Sequence, residues 1–457
     1  MKTLIDPNEK RGTFKQALRV LAFSLALVMI WQIASPSALR VIAALAEEGS
    51  PLSTIYGLLS DNAGEPETAQ DYYELANISI GQRQYEKGLS ELETARSLAD
   101  PQDVVFIGEL WLKTASVLAL LGRMDESKAA LDEAIACDPQ SAQALILRAQ
   151  MAIEDGNYPA AIADLTSYLV IVPTDSSSRL TLAQLYEGTG AYGAAAETYM
   201  TLYEQLPQDE SYWLNAMRCW FLGGAYETTL AQTQTYIDLH ADQTADQYGG
   251  IAYYLYAASL MQLSRYAEAA DGFDAAMAMG YDRGSCLEQI TLCRFETGEH
   301  QRVIDAGCEL LGLTQATGGE AGYVVSSPDL VFQRMGVSYM RLGDYENALA
   351  MLERSKEVNP GLVGNDYYRG VCLLSLGRYE EAAAAFTESI EAGYLLQYCY
   401  YNRGVCYVQL LEYEKAIEDM GMTLQSGDDP ELIAAAKDIL WQLAAYYEQQ
   451  ETGNTMP

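Results

Sequence analysis

Pro139, Pro173 and Pro207 are spaced 34 residues apart, as are Gly122, Gly156, Gly190 and Gly224, and as are Tyr158, Tyr192 and Tyr226. An interval this long is neither the period of a helix nor that of a strand, so it must count whole supersecondary units. The same step returns later in three independent columns: Gly336, Gly370 and Gly404; Tyr345, Tyr379 and Tyr413; Ala348, Ala382 and Ala416. The chain is an array of repeats.

What one unit contains follows from the spacing inside it. Between Ser176 and Pro207, apolar or small residues fall at Leu182, Ala183 and Tyr186, then after Gly190 at Tyr192, Ala195, Tyr199 and Leu202. Steps of three and four mark a buried helical stripe, here interrupted once by glycine and closed by proline. Each unit is therefore a helix, a short turn and a second helix. Gly190 releases the turn because it takes positive φ without a Cβ clash, and Pro207 cannot continue the second helix.

These columns resemble the tetratricopeptide repeat family. The stretch ending at Pro139 carries Trp111, Thr114, Ala115, Leu118, Gly122, Met124, Ser127, Leu131 and Ala134 in the matching places, and residues 340–348 read Met-Arg-Leu-Gly-Asp-Tyr-Glu-Asn-Ala. About ten units begin near Ala69, Gly108, Ala142, Ser176, Glu210, Gly250, Gly284, Asp329, Val363 and Gln397. The resemblance covers roughly residues 69–429 and implies an all-α, right-handed α-solenoid of about ten helix-turn-helix repeats. Units one to seven occupy 69–312, a Gly/Ser-rich loop 313–328, and units eight to ten 329–429. The amphipathic tail 430–451, with Leu432, Ile439, Leu440, Leu443 and Tyr446, is expected as a capping helix that closes the last unit or folds into its groove. Units five and seven depart most: Thr229 and Thr233 replace a small and an aromatic residue, and His300 stands in the turn where tyrosine is usual.

The amino terminus is different material. Lys2, Lys10, Arg11, Lys15 and Arg19 precede the apolar run Val20–Ala34, and Ala44, Leu45 and Ala46 precede Glu47 and Glu48. Residues 1–46 thus have the layout of a cleaved secretory signal or of an uncleaved membrane anchor, with a cytosolic amphipathic helix as the third option. Residues 47–68 form a linker and first helix. In either membrane reading the positive flank stays cytoplasmic and the repeats lie outside the cytoplasm.

Six Lys/Arg against two Asp/Glu give residues 1–46 a net charge of +4, which leaves −39 for the other 411 residues of a chain whose total is −35. Such a body repels nucleic acid and anionic membrane surfaces. Its carboxylates either coat the outer faces for solubility or attract basic segments of partners or loosely held divalent cations. No stretch has the spacing of a calcium loop, no Cys-x-x-Cys suggests zinc, and the glycines follow the turn columns rather than a phosphate-cradling loop, so neither metal nor cofactor is expected. Of eight cysteines, Cys219, Cys293, Cys372 and Cys406 share the tenth place of their units, where others carry Met151 or Leu185. Equivalent places on packed helices lie too far apart for a disulfide, so these read as small buried hydrophobes. Cys372 and Cys399 are the pair worth checking.

Two histidines, His240 and His300, and no nucleophile motif leave catalysis without a site, so the chain is read as a non-enzyme. Recognition fits better. The resemblance implies that places 2, 5, 9, 12 and 13 of each unit face inward, and in the last three units places 9 and 12 hold Val337 and Met340, Val371 and Leu374, and Val405 and Val408, joined earlier in the helix by Val331, Tyr367 and Tyr401. That stripe is apolar and is the candidate peptide groove. Arg148, Arg369 and Arg403, in place of the usual Leu at place 7, are expected to pair with a carboxylate of the next element as part of the scaffold. The function expected is an exported or membrane-tethered scaffold that binds a protein or peptide partner through its concave face. The alternative is a glycan- or cell-wall-associated binding protein whose many tyrosines stack on sugars.

Overall fold

A computed structural model describes residues 67–240, 247–315 and 323–452; the amino-terminal segment 1–46, and with it the export reading, lies outside the described residues. Among those residues all the regular structure is helical. The chain divides into two compact units, 1–189 and 190–457, each of which is considered by itself.

The first unit holds α1 (Ala69–Gly81), α2 (Tyr85–Leu98), α3 (Val104–Leu120), α4 (Met124–Cys137), α5 (Ala142–Glu154), α6 (Tyr158–Ile171) and α7 (Ser176–Gly188). The second begins with α8 (Tyr192–Gln205), α9 (Ser211–Leu222), α10 (Tyr226–Leu239), α11 (Gln247–Gln262), α12 (Tyr266–Ala278), α13 (Arg283–Glu296) and α14 (His300–Gln315). It continues with α15 (Pro328–Arg341), α16 (Tyr345–Val358), α17 (Asn365–Ser375), α18 (Tyr379–Glu391), α19 (Leu396–Gln409), α20 (Tyr413–Gln425) and α21 (Pro430–Thr452). The helices fall into the ten pairs expected from the columns, plus α21. Consecutive helices pack within each unit, as in an α-solenoid, and the division falls in the turn of the fourth pair.

In nine of the ten pairs the turn is the same hydrogen-bonded motif, the fourth being the one that holds the division. After α3, the Gly122 amide donates to the Ala119 carbonyl at 3.0 Å and the Arg123 amide to the Leu118 carbonyl at 2.9 Å, a Schellman closure around a left-handed residue. Gly122, Gly156, Gly190, Gly224, Gly298, Gly343 and Gly377 supply that residue, all with positive φ. In the first, sixth and tenth pairs the same conformation is taken by Arg83, Ser264 and Leu411, with φ of 61, 59 and 62°. The turn is thus kept even where glycine is lost.

A second column serves close approach. A Cβ added at Gly336, Gly370 or Gly404 would lie 2.7 Å from Leu352, Phe386 or Met420 of the facing second helix, so the side chain across the pair fills the space that glycine leaves. Ala348, Ala382 and Ala416 are fully buried beside these contacts.

The two atypical repeats solve their packing locally. Thr229 and Thr233 are fully buried, and their hydroxyls donate back within their own turn of backbone, to the Ala225 carbonyl at 3.0 Å and the Thr229 carbonyl at 2.8 Å. His300 sits edge-on to Phe295, with Nδ1 3.3 Å from the Ser338 hydroxyl. The link before α15 returns as a strap. Buried Glu288 of α13 accepts the Tyr323 hydroxyl at 2.7 Å and the Ser326 and Ser327 amides at 3.2 and 3.1 Å, and the Tyr323 ring occupies the space a side chain at Gly284 would need. At the far end, α21 packs on α20 and α19; Leu443 is buried and Tyr446 meets Tyr413 edge-on at 5.0 Å. None of the described helices is long and apolar enough to cross a membrane.

Candidate peptide-binding face

The first helices of the last three pairs, α15, α17 and α19, adjoin one another, which brings the inward places of these repeats side by side. They do not all remain open. Val331 is fully buried, in a core that includes Val325 and, at its edge, Tyr323 of the strap; Val337 is 4 % exposed. Neither side chain is available to a partner in this arrangement. The reason at Val331 is the link, whose return over α13 and α15 covers the start of the eighth repeat.

Met340, Val371 and Leu374 are half-buried and rest on the core formed by α16, α17 and α18. Tyr367 shares that core, with its ring 5.5 Å from Tyr368, 6.1 Å from Phe386 and 6.1 Å from Tyr394, and burial pushes its hydroxyl up to about 12. Tyr401, Val405 and Val408 of α19 are half-buried as well. A strip of six apolar residues, Met340, Val371, Leu374, Tyr401, Val405 and Val408, is therefore partly exposed, with Tyr367 as its support.

Two cations of α15 were not singled out by the sequence pattern. Arg334 and Arg341 lie two turns apart on α15, and neither makes an ion pair among the described residues. Burial lowers the Arg334 guanidinium pKa in spite of Glu296 and Glu288 nearby. Burial and then Arg341 also hold His300 below the ordinary histidine value. No spacing rule distinguishes these arginines from paired ones; only the lack of an ion pair does.

The place 7 arginines behave as scaffold groups. Arg148 grips Asp164 of α6 through Nε and Nη2 at 2.8 and 2.7 Å and reaches Asp132 of α4 at 2.7 Å. Hydrogen bonds donated to Asp164 hold its pKa above the ordinary arginine value. Arg403 grips Asp419 at 2.8 and 2.8 Å and reaches the Thr387 hydroxyl at 2.9 Å. None of the eight cysteines forms a disulfide; Cys399 Sγ is instead 3.2 Å from the Ser389 hydroxyl. Burial pushes the Cys372 and Cys406 thiols up to about 12, the behaviour of inert core groups. His240 spends both ring nitrogens on the Tyr236 carbonyl and Glu210, at 2.8 and 2.9 Å, beneath the stacked Tyr236 ring. Burial pushes Glu210 up, but hydrogen bonds from Tyr236 and His240 outweigh that and lower its pKa. Among the described residues no cluster of three or more potential metal ligands occurs.

Two family models, both described as tetratricopeptide repeat, match this chain. One covers residues 69–142, 112–176 and 334–393, the other residues 152–218. No curated protein sequence matches. Among solved structures, the C-terminal part of a repeat-containing protein from Cytophaga hutchinsonii is 15% identical, covers 56% of this chain and 98% of its own, and superposes with a TM-score of 0.42. A protein with the same type of repeat from Parabacteroides merdae is 11% identical over 67% of this chain and 98% of its own, at 0.30. YrrB, described as a TPR protein with an unusual peptide-binding site, is 20% identical over 53% of this chain and 99% of its own, at 0.27.

Proposed function

The chain belongs to the tetratricopeptide repeat family, and from that premise we propose that it is an exported or membrane-tethered scaffold whose last three repeats hold an apolar segment of a protein partner. The observation that carries this reading is the partly exposed strip of Met340, Val371, Leu374, Tyr401, Val405 and Val408, continuous across three adjoining first helices. Apolar strips of this kind mark interfaces, and a helix or extended segment laid across them gains affinity from buried area. Arg341, exposed beside Met340, offers the partner a place for an acidic residue. The protein reading is favoured over sugar stacking because Tyr367, the support of the strip, has three other rings packed around it.

Burying Leu374 against a partner contributes about 1.5–3 kcal/mol, so Leu374→Asp should weaken capture by tenfold or more. The check is to compare proteins retained by the wild-type array from residue 47 onward with those retained by the variant, at equal helicity and melting midpoint. Equal retention by a folded variant rules the strip out. Export is tested separately. Fractionation should place the chain outside the cytoplasm, and sequencing the mature amino terminus should separate a start at Glu47 from one at Met1. An intact cytosolic chain would end the export reading while leaving the strip untouched.

A further inference from the structure

The first unit contains two neighbouring grooves built alike, each between the second helices of successive pairs and floored by a first helix. The groove between α4 and α6 is narrowed from within to about 390 Å³: Arg148 rises from α5 and bridges Asp132 on one wall to Asp164 on the other. The groove between α2 and α4 has lost that bridge. Thr114 and Ala130 stand 34 residues before Arg148 and Asp164, and the Thr114 hydroxyl donates back to the Leu110 carbonyl at 2.8 Å. An opening of about 600 Å³ remains, with Trp111 in its floor and Ala130 at the foot of the α4 wall.

The walls have kept their charge. Glu86 and Glu93 line one side, Glu126 and Glu133 the other. Arg123 binds Glu126 in a fork at 2.7 and 2.6 Å and approaches Glu86 at 3.4 Å, but Glu93 and Glu133 make no ion pair. The floor already tolerates a cation. Arg96 of α2 lies over the Trp111 ring with its guanidinium carbon 3.6 Å from the centroid, and it too has no carboxylate partner. Unpaired carboxylates on both walls above a floor whose aromatic ring is already stacked by Arg96 are complementary to a second guanidinium, whose planar fork can address two walls at once while its stem is buried.

We propose that the groove between α2 and α4 docks a basic peptide segment of a protein partner, which inserts an arginine between the walls at the place Arg148 fills one repeat later. The site is on the second-helix side of the first unit, so it is separate from the apolar strip of α15, α17 and α19. The excess of negative charge on the repeats would steer such a segment inward, and the fit at Thr114 would choose where it stays.

The test titrates the full-length chain with a fluorescently labelled peptide of alternating arginine and alanine, read by anisotropy at physiological ionic strength, with the glutamate-for-arginine peptide as a control. Thr114→Arg should place an arginine of the chain itself between the walls, as in the next repeat, and weaken binding by about tenfold or more. Thr235→Arg adds the same charge to an exposed face of α10 and should change binding by less than about twofold. Glu93→Gln combined with Glu133→Gln should weaken it by about fivefold, and provides a second reading if Thr114→Arg does not fold. Equal losses for Thr114→Arg and Thr235→Arg would mean that only the diffuse acidic coat attracts the peptide. That result, or a wild-type chain that does not distinguish the two peptides, overturns the proposal.

Discussion

In the third repeat Arg148 is gripped by Asp164, sixteen residues later on the following helix; in the ninth repeat Arg369 occupies the same place and finds Ala385 at the same offset. Arg369 turns back to Asp366 on its own helix at 2.8 Å, shares that carboxylate with Lys356 at 2.8 Å, and reaches Glu388 at 3.4 Å. Its Nε is buried without a hydrogen-bond partner. The tenth repeat, where Asp419 stands opposite Arg403, returns to the first arrangement. The repeat frame decides where an arginine stem lies, whereas one residue on the second helix decides what its head can do.

That contrast can be broken at its strong end first. Arg148→Met would leave Asp164, 5 % exposed, as a buried charge without its partner and should cost about 3 kcal/mol in denaturant unfolding. Arg369→Met should cost less than half as much, because Lys356 still serves Asp366. Equal costs would erase the distinction between the two repeats.

Ala385→Asp sharpens it by rebuilding the missing half. A double-mutant cycle with Arg369→Met should give a coupling of about 1.5–3 kcal/mol if the new carboxylate accepts the orphaned Nε–H. No coupling would mean that the backbone of the ninth repeat holds the two residues apart. The turns offer a third, smaller contrast between repeats. Leu411→Gly removes a left-handed leucine and should gain about 1 kcal/mol in melting experiments, whereas Gly343→Leu in the eighth repeat should lose a similar amount.

The smallest effect depends on pH. Burial pushes Asp366 up, but hydrogen bonds from Lys356 and Arg369 outweigh it and lower the folded pKa below the ordinary 3.8. A depressed carboxylate stabilises the fold above its unfolded pKa and loses that contribution as pH falls through the folded one. The gap between wild type and Asp366→Asn, about 1 kcal/mol or less near neutrality, should therefore stay constant down to about pH 5 and close below about pH 4. A gap that survives at pH 2 would assign the effect to packing.

The helix pairs, their turns and the closely packed glycine column were legible because each depends on backbone geometry that recurs with the period. So was the scaffold role of Arg148 and Arg403, since a long cationic stem at a packing place needs a nearby acid. Less could be read where a contact joins non-equivalent places. Val331 was expected to face a partner, and lies under Val325 and Tyr323 because the strap is an insertion that no column describes. Arg334 and the open groove at Thr114 escaped notice for a related reason: each is defined by a partner that is missing, and a column records only the residue present.

The clamp of Glu288 on the returning strap bears on how the chain tolerates change in its covalent topology. Because the Ser326 and Ser327 amides and the Tyr323 hydroxyl are all anchored to α13, the start of α15 is positioned by noncovalent contacts rather than by the peptide link that precedes it. A protease cut, an inserted epitope or a pair of new chain ends between residues 316 and 322 should leave the eighth repeat docked on the seventh, so that two fragments co-purify as one folded body.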